Sequence, residues 1–225
     1  AFDLILAQEG SASTVTVNSG ALNTNTLLFQ AVFNADDWSG DVLAYPVEGN
    51  GLGTEVWKFA DVLKNQLSPA NGFLANREVV TYNSAEGVGV PFTWPVDPDA
   101  LASTDISQAQ VDALRSGVTS NADDYGKSLL NFIRGDQSEE GANVGSETKL
   151  EFRERETVLG DIVNSDPLFV PEPGFFYPDN WGASALENSK PYSDFRQAFK
   201  DREPVLYFGA NDGLFHAINA YANNS

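Results

Sequence analysis

Oxygen-bearing side chains recur at alternate positions in an acidic segment that follows a predicted helix. Asp136, Ser138, Glu140 and Glu147 have the spacing of ligands in an EF-hand loop, and Gly141 stands where such a loop turns sharply. Carboxylate and hydroxyl oxygens are ligands that Ca²⁺ accepts. The pattern therefore predicts a calcium-binding loop. The alternative, which the weak ligand at Ser138 favours, is a solvated acidic loop without a metal.

Arg134, Gly135 and Asp136 spell the tripeptide that integrins recognise. The same residues have a second interpretation, because Arg and Gly are typical of a helix C-terminus. Arg there meets the negative end of the helix dipole, and Gly adopts the left-handed cap conformation. The sequence favours capping and leaves integrin-type recognition as the alternative.

The chain contains a single histidine and no cysteine, which narrows the catalytic chemistry available. His216 lies within an apolar run that predicts a strand, so we expect a packed side chain rather than a general base. Its neighbours have strand positions, and no Ser-His-Asp triad can be proposed around it. The sequence therefore predicts no catalytic residue and no enzyme.

Two stretches predict antiparallel hairpins that would carry these side chains. Residues 26–47 turn at about 34–40, and residues 205–219 turn at a Gly-Ala-Asn-Asp-Gly segment. Both contain the frame Gly-x-x-x-Ala after the turn, and in the second hairpin both arms are expected to be mostly buried. Hairpins of this kind are typical of β-propeller blades, and two copies so far apart imply a large insertion.

Helical periodicity appears between the two hairpins. A helical patch is expected around 57–67, and longer helices over 103–117 and 124–134. The expected caps of the longer helices are, in chain order, Ser103 or Thr104, Gly117, Asp123 or Asp124, and Gly135. We expect residues 105–134 to form a two-helix insertion packed outside the blades. Its expected contacts are Leu114, Leu129 and Phe132.

The charge balance excludes several classes of partner. Thirty-two acidic residues against 13 basic ones give a net charge of −19, which disfavours nucleic acid and anionic membranes. No apolar run reaches membrane-spanning length. The chain begins at Ala1 with no signal-type pattern, so we expect a segment of a longer polypeptide.

Aromatic and acidic residues outside the helices have structural and binding interpretations. Residues 171–181 are rich in aromatic residues and proline and predict an exposed contact loop. Tryptophans are expected to pack in the blades, with a carbohydrate-stacking surface as the alternative; they are Trp38, Trp57, Trp94 and Trp181. Acidic residues of the first hairpin turn are expected to complete Asx turns rather than bind a cation; they are Asp36, Asp37 and Asp41.

Four sequence blocks, which occur along the chain in the same order as in that family, resemble the PilY/PilC-type type IV pilus tip adhesins. The first combines Arg153-x-Arg155 with Gly160-Asp-Ile-Val-Asn-Ser-Asp-Pro167, which is similar to that family's R-x-R…LGDIVNSSP signature. The other blocks occupy residues 192–217, 37–45 and 130–136. The ordered set covers roughly residues 25–220 and is far more specific than a single glycine turn.

The resemblance implies a mainly β fold, a modified and partial β-propeller of the quinoprotein-dehydrogenase-like kind with a small two-helix insertion. The propeller would be incomplete within residues 1–225, with its remaining blades absent from this chain. The first blade is expected at about 26–82, the insertion at 103–135 and the start of the following blade at 150–220.

The resemblance also implies a role in type IV pili. Family members promote pilus biogenesis, oppose retraction and attach to host or abiotic surfaces, with minor pilins as partners and an extracellular location at the pilus tip. They bind calcium through a loop that would lie beyond Ser225, and no quinone is expected. The alternatives are a secreted calcium-dependent β-propeller binding module or a quinone-dependent dehydrogenase, whose docking repeats are not matched here.

Overall fold

The computed structural model describes residues 11–17, 26–34, 37–49, 51–68, 72–141 and 152–221. Over these residues the protein is mainly β, with a few short helices. The chain divides into two compact units: the first is Ala1–Val62 with Leu159–Ser225, and the second is Leu63–Val158. Within the described residues, no helix has both the length and the apolar character needed to span a membrane.

The larger sheet of the first unit is built by consecutive antiparallel strands. They are β1 (Ser11–Val17), β2 (Leu27–Asn34), β3 (Ser39–Glu48), β4 (Gly51–Leu52) and β5 (Trp57–Lys58). The order is β1-β2-β3-β4, and β5 also pairs with β3. Phe33 opposite Gly40 and Asn34 opposite Ser39 close the β2–β3 hairpin. This confirms the hairpin predicted over residues 26–47.

A second sheet of the first unit is formed by β8 (Leu168–Val170), β9 (Val205–Gly209) and β10 (Phe215–Asn219), in the order β10-β9-β8. It confirms the hairpin predicted over residues 205–219. The expectation of two mostly buried arms is wrong for β10, because strand side chains alternate between faces. His216 is buried, whereas Phe215 is exposed and stacks on Tyr207.

The two sheets of the first unit share one apolar core. The ring centroids of Phe29 on β2 and Phe169 on β8 are 5.9 Å apart. The indole Nε1 of Trp57 donates a hydrogen bond to the carbonyl oxygen of Ala220, 3.3 Å away. Trp57 is buried and belongs to strand β5, so the helical patch predicted from residue 57 begins instead with α1 (Phe59–Leu67). The chain after β10 is therefore held against the first sheet.

The second unit has its own core of helices and a small hairpin. Its elements are α2 (Gly72–Ala75), β6 (Val80–Asn83), β7 (Val88–Pro91), α3 (Gln108–Arg115) and α4 (Ala122–Arg134). Leu114 and Leu129 pack in this core together with Val90, and Phe132 stacks on Phe152 at 4.8 Å. Leu114, Leu129 and Phe132, the predicted contact residues of the insertion, therefore pack within the second unit. The domain boundaries drawn from the resemblance stay predictions.

Helix α3 is shorter than the sequence predicted. Its cap is Ser107 rather than Ser103 or Thr104, because a Ser-x-x-Gln pattern forms a capping box. The backbone N–H of Ser107 donates to Gln110 Oε1 at 2.9 Å, and the side chain of Ser107 accepts from the backbone N–H of Gln110. The helix ends with its cap at Ser116, one residue before the predicted Gly117.

Helix α4 begins two residues earlier than predicted and ends where predicted. Its N-cap is Asn121, at φ 52°. Asp123 and Asp124 lie in the first turn, where the positive end of the helix dipole stabilises their negative charges. Gly135, at φ 115°, is the left-handed cap and donates its N–H to the last turn of the helix. The predicted glycine cap is therefore confirmed, and the predicted aspartate caps are wrong.

A long excursion separates β8 from its antiparallel neighbour β9. It includes a 3₁₀ helix (Leu186–Ser189) and α5 (Tyr192–Ala198). Its neck is closed because the guanidinium of Arg202 donates to the carbonyl oxygen of Pro171. We call residues 171–202 the aromatic excursion. The predicted contact loop is its first part, and Phe175, Phe176 and Tyr177 there are exposed.

The tryptophans divide between packing and exposure. Trp57 is buried in the first unit, and Trp94 packs against the core of the second unit. Both side chains are packed as predicted, and their assignment to propeller blades stays a prediction. Trp38 and Trp181 are exposed, so the packing prediction is wrong for them. Trp38 lies at a tight turn, where its φ of 58° is left-handed and differs from the extended conformation of a strand.

Candidate functional site

Three of the four sequence blocks meet in one polar cluster of the first unit. We call this cluster the signature junction. It consists of Ser39, Gly40, Gly160, Asp161, Ser165, Asn211, Asp212 and His216.

A glycine at the start of β3 allows the first contact of the signature junction. Ser39 and Gly160 form an antiparallel bridge, and the backbone N–H of Gly40 donates to the carbonyl oxygen of Leu159 at 3.3 Å. A Cβ on Gly40 would lie 2.3 Å from the carbonyl oxygen of Gly160, closer than real Cβ contacts. The start of β3 can therefore approach the Gly-Asp-Ile-Val segment because Gly40 has no side chain.

The second contact joins the Gly-Asp-Ile-Val segment to the β9–β10 turn. The backbone N–H of Asn211 donates to the carbonyl oxygen of Asp161 at 3.0 Å, and its side-chain amide donates to Asp161 Oδ2 at 2.7 Å. Ser165 Oγ accepts from the N–H of Gly209 at 2.8 Å. A carboxylate and a hydroxyl of one block thus satisfy backbone and amide donors of another.

Asp212 organises the turn from inside. Its Oδ1 accepts from the N–H of Leu214 at 3.0 Å, and its Oδ2 lies 2.9 Å from His216 Nε2. Burial, the largest influence, raises the pKa of Asp212, but the hydrogen bond and charge of His216, with the N–H groups of Leu214 and Gly160, lower it by more. The net effect holds the pKa of Asp212 below its ordinary value. The carboxylate is therefore ionised and accepts a hydrogen bond from His216 when Nε2 carries the proton.

His216 is a packed side chain, as the sequence predicted. Its ring stacks on Phe208 at 5.1 Å and meets the edge of Phe59 at 5.6 Å. Only 6% of the residue is exposed. Its Nε2 is held by Asp212 within these aromatic rings, so the geometry favours a structural role over proton transfer to a substrate.

Asp41 carries a half-buried carboxylate whose role sequence reasoning missed. Its Oδ1 accepts from the N–H of Val42 at 2.8 Å and from the N–H of Ala60 at 2.9 Å, which ties β3 to the start of α1. The expected Asx turn forms at Asp37, which accepts from the N–H and hydroxyl of Ser39, but not at Asp41. Asp36 lies outside the described residues.

The pKa of Asp41 is raised to about 6. Burial is the largest cause; the N–H groups of Ala60 and Val42 and the charge of Lys58 oppose it, and Asp61 adds to it. The folded protein therefore binds more protons than the unfolded chain between the ordinary value of 3.8 and about 6. The free energy of unfolding should fall as pH rises through this window and level off above it.

We expect Asp41→Asn to remove this pH dependence and to stabilise the protein at neutral pH. Asparagine keeps the oxygen that accepts from the N–H groups of Val42 and Ala60 but carries no charge. The gain at neutral pH should be on the order of 2 kcal/mol, after a discount for partial exposure. Urea unfolding at several pH values between 3.8 and about 6 measures the pH dependence of the free energy of unfolding. Glu86→Gln, at an exposed position, is the control. Equal pH slopes in Asp41→Asn and the parent protein would contradict the assignment.

The acidic segment predicted as a calcium loop is partly occupied by other contacts. Asp136 Oδ1 accepts from the N–H of Ser138 at 2.9 Å. Glu140 forms a buried ion pair with Arg155 at 2.5 Å and also accepts from its backbone N–H. The guanidinium of Arg155 in turn lies 3.7 Å from the centroid of the Phe132 ring. To bind Ca²⁺, Glu140 would therefore have to give up its ion pair with Arg155.

Glu147 lies outside the described residues, so the complete loop has no geometry here. In the described part of the chain, no three acidic or histidine side chains lie close enough together to hold a metal ion. The calcium loop stays a prediction.

Arg134 of the integrin-type tripeptide is a buried structural side chain. Its guanidinium donates to the carbonyl oxygens of Phe73, Arg77 and Phe92 at 3.0, 2.8 and 2.9 Å. Only 3% of the residue is exposed. The expectation that Arg134 meets the end of its own helix is wrong, because its guanidinium binds carbonyl oxygens in two other segments, around residues 73–77 and at residue 92. Integrin-type recognition stays a prediction, and these contacts weigh against it.

Comparison with curated proteins finds relatives named as type IV pilus biogenesis factors. A PilY1 homolog of Xylella fastidiosa (strain Temecula1) is 31% identical over 225 residues, which cover 98% of this chain and 15% of that protein. PilY1 of Pseudomonas aeruginosa is 32% identical over 85% of the chain in strain UCBPP-PA14 and 30% identical over 88% in strain PAK. The aligned residues cover 15% and 16% of those two proteins.

The comparisons define the extent of the relationship. The chain spans about a sixth of the length of the curated relatives it matches. No family model and no solved structure matches it. Identity at this level over most of the chain agrees with the resemblance carried by the four sequence blocks, three of which form the signature junction. The chain therefore belongs to the PilY1-type family, as a segment of the kind found within these longer proteins.

Proposed function

We propose that this chain is a scaffold segment of a type IV pilus biogenesis factor. The names of its relatives support the pilus system. The single observation that carries the scaffold role is the signature junction, whose polar side chains bind backbone groups of other blocks. Its carboxylates, amide and hydroxyl hold the Gly-Asp-Ile-Val segment against the β9–β10 turn, and backbone contacts join the start of β3 to the same segment.

The fold that we propose for the first unit is part of a β-propeller. Two hairpins with the same Gly-x-x-x-Ala frame support it, since β2–β3 and β9–β10 both fold as antiparallel pairs. The three-stranded sheet β10-β9-β8 would be part of a second blade. The residues between the blades would form the insertion, which in this chain includes helices α3 and α4.

In the complete protein this scaffold would act at the pilus tip, outside the cell. It would promote pilus biogenesis together with minor pilins, oppose retraction and mediate attachment to host or abiotic surfaces. Cross-strand hydrogen bonds and a shared apolar core suit a part that carries mechanical load. The net charge of −19 is consistent with a protein partner or a surface rather than nucleic acid.

Deletion of the gene in its natural host tests this role. We expect fewer surface pili and reduced twitching, both restored by the parent gene. In the parent strain, the full-length protein should co-purify with minor pilins. A gene encoding Gly160→Ala should restore pili poorly, whereas one encoding Gly174→Ala should restore them fully. Normal piliation, twitching and attachment in the deletion strain would reject the proposal.

A second candidate is a secreted calcium-dependent β-propeller binding module. The ligand-like spacing of Asp136, Ser138, Glu140 and Glu147 favours it. This candidate requires a calcium-dependent rise in melting temperature that Asp136→Asn removes. The pilus role alone requires no such rise, so the two measurements separate the candidates.

A further inference from the structure

We infer that the aromatic excursion binds a neutral carbohydrate chain by stacking pyranose rings on its exposed aromatic side chains. The inference rests on the attachment role in the proposed function and adds the chemical class of the ligand. The binding itself can be measured without reference to pili.

The excursion presents aromatic rings that its own fold does not cover. Phe175, Phe176 and Trp181 are 66%, 86% and 54% exposed. Neither the 3₁₀ helix nor α5 contains a buried residue. Exposed apolar groups concentrated in one closed loop are typical of binding surfaces.

The rings of Phe175 and Phe176 are nevertheless held in place. Phe175 stacks on Tyr177 at 5.4 Å, and Tyr177 meets the edge of Tyr192 at 5.1 Å. The guanidinium of Arg196 lies 4.5 Å from the centroid of the Phe176 ring and supports it. Rings fixed in this way lose little conformational entropy when a flat apolar face stacks on them.

Polar groups are fixed beside the rings. Asp179 Oδ1 accepts from the N–H of Ser193 at 3.0 Å, and Asn180 Oδ1 accepts from the N–H of Gly182 at 3.0 Å. The side chain of Asn188 donates one N–H to the carbonyl oxygen of Gly182 and keeps a second N–H. A carboxylate and two amides of the aromatic excursion thus keep spare hydrogen-bonding capacity.

The local charge selects an uncharged ligand. Residues 171–202 contain five acidic and four basic side chains, a net charge of −1, within a chain of net charge −19. The whole chain repels anionic polymers, anionic lipid and a second copy of itself. The excursion has no charge excess that would draw a cationic partner.

The mixture of groups favours a sugar over an apolar protein surface. An apolar protein face would cover the remaining donors and acceptors of Asp179, Asn180 and Asn188 without pairing them, which is costly. A pyranose ring offers apolar C–H groups on its face and hydroxyls at its edge. It therefore satisfies both the rings and the polar groups between them.

Calorimetric titration of the full-length protein tests the inference. The probes are four neutral hexasaccharides: cellohexaose, chitohexaose, mannohexaose and maltohexaose. We expect at least one to bind saturably, with an affinity that changes little between about 0.05 and 0.5 M NaCl. Phe176→Ala and Trp181→Ala should each weaken binding roughly tenfold. Leu186→Ala, which removes an equally exposed aliphatic side chain from the same excursion, should not.

Three outcomes would overturn the inference. They are no binding of any neutral hexasaccharide, binding that survives both aromatic substitutions, and binding that salt abolishes. Loss of minor-pilin co-purification in the aromatic variants without saccharide binding would assign the excursion to a protein contact instead. Normal pili in the gene deletion would reject the proposed function but leave a measured saccharide affinity unaffected, so the two failures are distinguishable.

Discussion

Gly160→Ala should destabilise the first unit by about 3 kcal/mol, because the added methyl group meets backbone that cannot rotate away. Its Cβ would lie 2.4 Å from the backbone nitrogen of Asp212 and 2.9 Å from the carbonyl carbon of Asn211. Relief requires the β9–β10 turn to move. That movement breaks the two hydrogen bonds between Asn211 and Asp161.

Urea unfolding followed by tryptophan fluorescence measures this loss. Gly174→Ala is the matched control, since the nearest atom to its Cβ would be 4.0 Å away and the substitution should change stability by less than about 1 kcal/mol. Equal midpoints for Gly160→Ala and Gly174→Ala would show that the signature junction is not tightly packed. The scaffold role would then lose its main support.

Arg134→Leu should cost the second unit about 3–5 kcal/mol. The substitution leaves the carbonyl oxygens of Phe73, Arg77 and Phe92 without the donors that they have in the folded protein. Arg134→Lys should recover only part of the loss, because an ammonium group is a point donor and cannot reach three carbonyls that surround a planar fork.

Thermal and urea unfolding of both variants measure the effect, with exposed Arg153→Leu in the same unit as the control. The experiment also tests the tripeptide. If Arg134 served recognition, Arg134→Lys would abolish attachment to integrin-bearing cells while leaving stability unchanged. That result would contradict the buried position of the guanidinium.

The hairpins were predictable because their determinants are local. Apolar runs of strand-forming residues, separated by turns rich in Asn, Asp and Gly, are sufficient to define β2–β3 and β9–β10. The glycine cap of α4 is local in the same way. The start of α3 was misplaced because several Ser and Thr residues offered caps, and only Ser107 has a Gln three residues later that returns the hydrogen bond.

The site depends on contacts that sequence spacing does not reveal. Asp161 and Asn211 are 50 residues apart, and Arg134 reaches carbonyls up to 61 residues away. Asp41 looks like any turn carboxylate until the N–H of Ala60 is placed beside it. A Gly in the Gly-Asp-Ile-Val segment and another after the first turn were the available signal, since two glycines can permit a close backbone approach.

The discontinuous first unit has a consequence for the order of folding. The second unit is one continuous stretch, Leu63–Val158, and its contacts can form as soon as that stretch has been synthesised. The first unit must wait for its second half, because Trp57 bonds to Ala220, 163 residues later, and Gly40 to Leu159. Contacts that close such long loops form slowly. Until the later strands arrive, Phe29 lacks its contact with Phe169 and Trp57 its bond to Ala220, and the nascent chain is then most prone to aggregate.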